Sequence, residues 1–348
     1  MFGTYRLFLS MLVMNGHLFR PWYPAAYAVY SFFILSGYLM TFIMNRRYGY
    51  STEGRKHYFV NRFLRIYPPY YAALVLSLLL VLFLPSELIL KINPKIMLPT
   101  SIDQYMKNIF IFGLDKEEPV RLVPLAWALH LELFYYVVIG LFAGKSKRIA
   151  LIWLSLSLTY VAVLLILGNH DFALRYQIIP AASLPFSIGA CLYHFRDAIN
   201  QIISKVPWKT VLLTSLMLYA LPFFWAKSLI NLSKGVWLDV FMIPFYLNML
   251  FSALVIVAFS NIPRGQYGLI EKIDAFLGSL SYPVYLFHFQ AGIMAVSILG
   301  FTPRKSLRLL VFGGILTIVI ALIEARFLSK YIERLREKNK AGLSRVDV

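Results

Sequence analysis

The sequence predicts an all-α integral membrane protein, a bundle of about ten transmembrane helices with both termini cytoplasmic. Three observations predict it. Hydrophobic residues fill 59% of the 348 positions and charged residues only 14%, against roughly 25% charged in a soluble domain. A soluble fold cannot hide that much apolar surface, whereas in a bilayer lipid is the solvent. The apolar residues fall into stretches close to the roughly 20 residues that a tilted spanning helix needs. Finally, basic residues gather in alternate loops, as they do where one side of a membrane protein is cytoplasmic. Aromatic residues, 16% of the chain, suit membrane interfaces and tightly packed bundles.

The segments run approximately 5–25, 27–45, 66–84, 124–143, 149–168, 177–195, 208–226, 239–259, 279–299 and 306–328. The first and third begin in or beside polar sequence. The connection over 85–123 carries Pro85, Pro94, Pro99 and Pro119 with balanced charge, and reads as a re-entrant or surface loop. Arg46, Arg47, Arg55, Lys56, Arg62 and Arg65 lie between segments two and three, and Lys145, Lys147 and Arg148 follow segment four. The tail holds Arg326, Lys330, Arg334, Arg336, Lys338, Lys340 and Arg345. An even number of spans puts these on one side, with roughly 22 of the 34 Lys and Arg, and that side is cytoplasmic. Arg304, Lys305 and Arg308 run against the rule. Residues 1–330 form one transmembrane domain in this reading, and 331–348 a short basic cytoplasmic tail. Ala26-Tyr27-Ala28 has the small-x-small form of a signal-peptidase site, but the basic region before it is thin and the next span follows at once.

A net charge of +18 would suggest nucleic acid in a soluble protein. Here it is topology, although a basic binding site within the same set is compatible with it, so the expected partner is membrane lipid and not nucleic acid. The single cysteine, Cys191, allows no intrachain disulfide and no thiolate cage, and reads as packing. No His/Cys/Glu set at ligand spacing, no G-x-S-x-G and no P-loop occurs, so no metal is expected. Nothing in the sequence specifies an oligomeric state.

Ionisable groups at membrane depth are costly and mark function by default. Arg6 and His17 are eleven steps apart, very nearly three turns at about 100° each, so they share a helix face with a rise of roughly 16 Å between them. Arg6 then lies at the cytoplasmic edge and His17 lies deep. A neutral imidazole can take a proton from a hydroxyl and return it; the alternative is a hydrogen-bonded histidine near the outer interface, beside Arg20 and Pro21. Arg62 and Arg65 are neighbours at i, i+3, and guanidinium forks match phosphate oxygens; a positive-inside anchor fits them as well. Glu132, in Trp127-Ala128-Leu129-His130-Leu131-Glu132, is an acid in an apolar helix with Tyr136 one turn on and Tyr135 beside it. A cation from another helix is its expected partner, in a site or in a structural ion pair. Ser281, Tyr285 and His288 line one stripe at i, i+4, i+7. Ser281 also has the form of an N-cap with Pro283 in the first turn; a polar seam that locks helices together and a catalytic role fit the stripe alike. In Phe32-Phe33-Ile34-Leu35-Ser36-Gly37-Tyr38, the small Ser-Gly pair reads as close helix packing.

In this order the clusters resemble membrane acyltransferase family 3, the bacterial O-acyltransferases of surface polysaccharides, over nearly the whole chain. Arg6-x10-His17 resembles the first-helix motif, and Phe32-Phe33-x-Leu35-Ser36-Gly37 the second-helix signature. Asn61-Arg62-x-x-Arg65-Ile66-x-Pro68-x-Tyr70 resembles the arginine motif. Trp127 through Tyr136 resembles W-S-L-x-x-E-x-x-F-Y, and Ser281-Tyr282-x-x-Tyr285-Leu286-x-His288 the late S-Y-x-x-Y-L-x-H element. Glu324 sits where the last helix often carries a glutamate.

The resemblance implies acetyl-CoA or another acyl-CoA as cytoplasmic donor, and a hydroxyl of a lipid-linked or extracytoplasmic glycan as acceptor. It implies a multi-pass protein of the bacterial cytoplasmic (inner) membrane. Carried over, Arg62 and Arg65 hold CoA phosphates. His17 is general base or acyl relay, with Arg6 its basic partner and Glu132 orienting or neutralising a cation. Tyr136, Ser281, Tyr285 and His288 bind substrate or support the site. The departures are Gly3-Thr4 for the usual Asp-Gly, Asn61 for the first residue of the arginine motif, Ala128 and His130 for serines, and Tyr135 for phenylalanine. Asn61 weakens the phosphate clamp by one charge. Two rival functions are a transporter or flippase of an anionic lipid-linked solute, and an acyltransferase acting on a small secondary metabolite.

Overall fold

A computed structural model describes residues 2–19, 23–169, 171–232, 237–263, 265, 268–301 and 305–342. Arg20, Pro21, Arg304 and Arg345, named above, lie outside the described residues. The described chain is helical and contains no strand. In order the helices are α1 (Gly3–Leu18), α2 (Tyr23–Ile43), α3 (Thr52–Phe83), α4 (Ser86–Ile92), α5 (Ile102–Phe110), α6 (Ala126–Val138), α7 (Lys147–Ile166), α8 (Ile179–Ile203), α9 (Trp208–Leu232), α10 (Trp237–Ser260), α11 (Gly268–Leu299), α12 (Leu307–Glu324) and α13 (Lys330–Ala341). Among the described residues nine helical segments are long and apolar enough to cross a bilayer, which makes the fold an all-α membrane bundle.

The first expected span differs. It is α1, 16 residues long, or roughly 24 Å at 1.5 Å per residue. Its polar positions lower its hydropathy; one face, with Tyr5, Leu9, Val13 and Leu18, is buried in the bundle, while Phe8 and Met11 on the other are exposed. The third expected span also differs, because α3 starts at Thr52, well before 66. Ser51 caps it, accepting from Gly54 N at 3.2 Å, so Arg62 and Arg65 sit within the helix and not ahead of it. The connection over 85–123 contains α4 and α5. It is tied down by Lys95 Nζ, which donates to the carbonyls of Lys116 (2.9 Å) and Glu118 (2.8 Å), and by a Lys107–Glu118 ion pair at 2.9 Å. Tyr67 and Tyr70 of α3 donate to Phe110 O and Asn108 O.

Two close approaches set the frame of the site. Gly37 on α2 and Gly189 on α8 interlock: a Cβ on Gly37 would lie 2.3 Å from Phe186 O, and one on Gly189 2.1 Å from Ile34 O. That matches the packing read from Ser36-Gly37, since small residues let helix backbones meet. The second approach is between α1 and α11. Gly3 N donates to Asp274 Oδ2 at 2.9 Å, Ser10 Oγ to Ser281 O at 2.7 Å, and His17 Nδ1 lies 3.0 Å from His288 Nε2. Each pair is offset by 271 positions. The helices are therefore parallel, and their contacts recur every seven residues, the heptad spacing that keeps one seam facing its partner. At its start α1 has exposed N–H groups with no intrahelical acceptor. The Asp274 carboxylate takes those of Gly3 and Thr4, together with the Thr4 hydroxyl.

Helix α11 corrects one expectation. It begins at Gly268 and passes straight through Ser281 and Pro283, so Ser281 is not an N-cap. Its hydroxyl donates back to Gly278 O at 3.1 Å. The apolar run around it buries the turn that a cap would have left open. Cys191 is buried with its thiol against Ala150 O, in keeping with packing.

Candidate functional site

A cavity of about 110 Å³ opens among α1, α2, α3, α6 and α11. That is room for several waters or a phosphate-sized anion. Three guanidinium groups line it: Arg6 from α1, and Arg62 and Arg65 from α3. The i, i+3 spacing puts the α3 pair on one face, and the Arg6 guanidinium is within electrostatic reach of both. Glu132 and Tyr136 of α6, Ser36 of α2, and Ser281, Tyr282 and Tyr285 of α11 complete the polar lining.

The carboxylate in this cavity does not pair with a cation. Glu132 Oε1 accepts from Ser36 Oγ at 2.7 Å and from the Tyr136 hydroxyl. Among the described residues no Lys or Arg lies within ion-pairing distance of it. Two hydroxyls can satisfy a half-buried carboxylate without a salt bridge, and the guanidinium groups are left over. Arg62 touches Met40 Sδ at 3.3 Å and lies 5.9 Å from the centres of the Tyr58 and Tyr136 rings. Its Nε has no hydrogen-bond partner. Arg65 faces the Tyr282 ring at 5.9 Å, while the Tyr282 hydroxyl donates to Ile66 O at 3.0 Å. Each buried donor left unmade costs roughly 1–3 kcal/mol. With Arg62 Nε unpartnered and Arg6 and Arg65 beside it, the cavity offers donors that an oxyanion could accept from.

Seven of the nine sequence-derived site residues line this cavity, namely Arg6, Arg62, Arg65, Glu132, Tyr136, Ser281 and Tyr285. His17 and His288 do not. They meet one another farther along the α1–α11 seam, with rings 5.1 Å apart and 7° from parallel. Phe289 packs against both rings at 4.8 Å. Lys305 approaches the same end, donating to Gly16 O at 2.9 Å. The connection over 85–123 adds Lys116, 5.1 Å from the centre of the Trp127 ring, and the buried Arg121. Burial pushes the Lys116 ammonium down to about 8 and the Arg121 guanidinium down to about 10.

Three residues were missed or read otherwise. Ser36 serves the Glu132 carboxylate as well as helix packing, and its place directly before the packing glycine was the available signal. Tyr282 sits inside a recognised motif but was given no role of its own. Arg336 was counted only as tail charge. It lies on α13, where its Nε donates to Asn61 Oδ1 at 2.6 Å and its guanidinium also pairs with Glu333. Asn339 and His57 add a second tie, with Asn339 Nδ2 donating to His57 O at 2.9 Å. A cation from α13 thus stands next to Asn61 of α3.

Comparison with known proteins adds one finding. A family model described as an acyltransferase domain, that of acyltransferase family 3, matches residues 4–325. Neither the curated proteins nor the solved structures hold a significant match to the chain.

Proposed function

The chain belongs to acyltransferase family 3, and from that premise we propose that it moves an acyl group, acetyl foremost, from cytoplasmic acyl-CoA to a hydroxyl of a lipid-linked or extracytoplasmic glycan. The coarser statement, a membrane acyltransferase, follows from the family and the apolar helices. For the finer one, a single observation carries most weight. One short helix places the Arg6 guanidinium in the arginine-lined cavity near its start and a hydrogen-bonded imidazole, His17, near its end.

In this reading the arginine cavity takes phosphates of the donor. The basic end of the bundle is cytoplasmic, in the inner membrane of a bacterium. The extended pantetheine arm runs along α1 over the roughly 16 Å that separate Arg6 from His17. His17 then takes the acceptor hydroxyl proton as the oxygen attacks the thioester carbonyl. The C–O bond forms, the C–S bond breaks, and the proton passes to the departing thiolate. Glu132, held by Ser36 and Tyr136, keeps the three guanidinium groups from repelling one another when the cavity is empty.

The test is mass spectrometry of the host's surface glycan with wild-type protein, with none, and with His17→Ala. An acyl ester present only with the wild type is expected. A fully acylated glycan in the His17→Ala strain overturns the assignment of His17, and an unchanged glycan in the strain lacking the protein overturns the acceptor.

A further inference from the structure

His288 has no solvent exposure, and its two ring nitrogens meet different groups. Nδ1 lies 3.2 Å from Val284 O, one turn earlier in α11. A carbonyl can only accept, so Nδ1 carries the hydrogen. In a neutral imidazole the other nitrogen then bears the lone pair. That nitrogen, Nε2, is 3.0 Å from His17 Nδ1. His17 Nδ1 must therefore be the donor, which leaves the lone pair of His17 on Nε2. Among the described residues no carboxylate lies within ion-pairing distance of either ring, so one hydrogen per ring satisfies this chain of contacts. It runs from backbone to His288 to His17 in a single direction. The parallel rings and the Phe289 contact hold it in place.

We propose that His288 is a positioning residue that holds His17 in the tautomer protonated on Nδ1, so that Nε2 is the basic atom. The proposal rests on the acyl-transfer reading above for its consequence, not for its geometry. When His17 Nε2 takes the hydroxyl proton, the Nδ1–H becomes a charge-assisted donor to His288 Nε2, and that bond strengthens as charge develops. When the proton moves on to the CoA sulfur, both rings return to their starting form. The orienting group is thus a second imidazole anchored on the helix backbone, where a carboxylate often serves.

Two substitutions separate positioning from packing. In His288→Gln an amide oxygen can accept from His17 Nδ1–H; in His288→Leu nothing can. The expected result is a kcat for the glutamine variant within about tenfold of wild type and a loss of at least about a hundredfold for leucine. KM for acyl-CoA should not change in either, because His288 stands outside the arginine cavity. Equal losses in the two variants, or an active leucine variant, overturn the proposal.

A second measurement does not use activity. Nitrogen-15 spectra of histidine-labelled protein, with the His17 signal assigned by its loss in His17→Asn, should show Nδ1 protonated and Nε2 bare. The leucine variant should show a mixture. An Nε2-protonated His17 in the wild type overturns the proposal even if the enzyme transfers acyl groups. A wild type with the expected tautomer and no acyl transfer instead overturns the reading of function.

Discussion

The two ends of α1 solve opposite problems with similar residues. Near its start, Arg6 joins Arg62 and Arg65 around a cavity in which the carboxylate is satisfied by hydroxyls and Arg62 Nε bonds to nothing. Near its end, His17 and His288 form an unbroken chain of donors and acceptors that finishes on a backbone carbonyl. A pocket for a charged ligand is left electrostatically open, and the stability given up there returns when an anion enters. A pocket for proton transfer needs one atom in one protonation state, so its hydrogen bonds are completed in advance.

The largest expected effect breaks the chemical end alone. His17→Ala should lower kcat by about 10² to 10⁴-fold, the usual worth of a general base, while calorimetric binding of CoA stays near wild type. A matching loss of CoA binding would mean that the two ends are not separate.

Next is the binding end. Arg62→Ala and Arg65→Ala should each weaken CoA by about 10- to 100-fold, the worth of a charge-assisted hydrogen bond. Lysine should restore only part of this, because it lacks the planar fork. Unchanged affinity in the double variant would remove the phosphate role.

Arg336→Gln should have a smaller effect, raising KM for acyl-CoA about two- to fivefold, since its charge stands behind Asn61 and is shared with Glu333. A variant with wild-type KM would confine Arg336 to docking α13.

The last expected effect is on stability and not on catalysis, and concerns the connection over 85–123. Lys116 has a folded-state pKa of about 8, below its unfolded value of about 10.4. Between these values the unfolded chain binds more protons, so stability should rise as pH increases from about 8 to 10. Below 8 the cost of burying the charge is fully present. Thermal melting of Lys116→Gln should lose that rise, and an identical pH slope in the variant would discount the burial of Lys116.

Much of the fold could be read from composition and the spacing of apolar runs. Among the described residues the nine helical segments long and apolar enough to span fall on expected segments, with α3 and α11 starting earlier than their apolar cores. The Gly37 contact was legible because only a glycine there lets two backbones meet. The cap was misread at Ser281 because a serine two residues before a proline looks the same inside a long helix as at its start. Glu132 was assigned a cation because a lone buried acid requires some partner, and a sequence does not say whether that partner is charged or a hydroxyl.

By itself, then, the sequence determined the solvent this protein folds in, the helices it forms and which residues are too costly to bury without purpose, since these follow from local composition and helical periodicity. Only the tertiary structure decided that α1 lies parallel to α11 in a seven-residue register, that Arg6 joins the arginines of α3, and that His17 finds His288. The reason is that these pairings join positions 271 residues apart in α1 and α11, or bring Arg336 from α13 back to Asn61. Such contacts arise from packing between helices, and no periodicity within one helix encodes them.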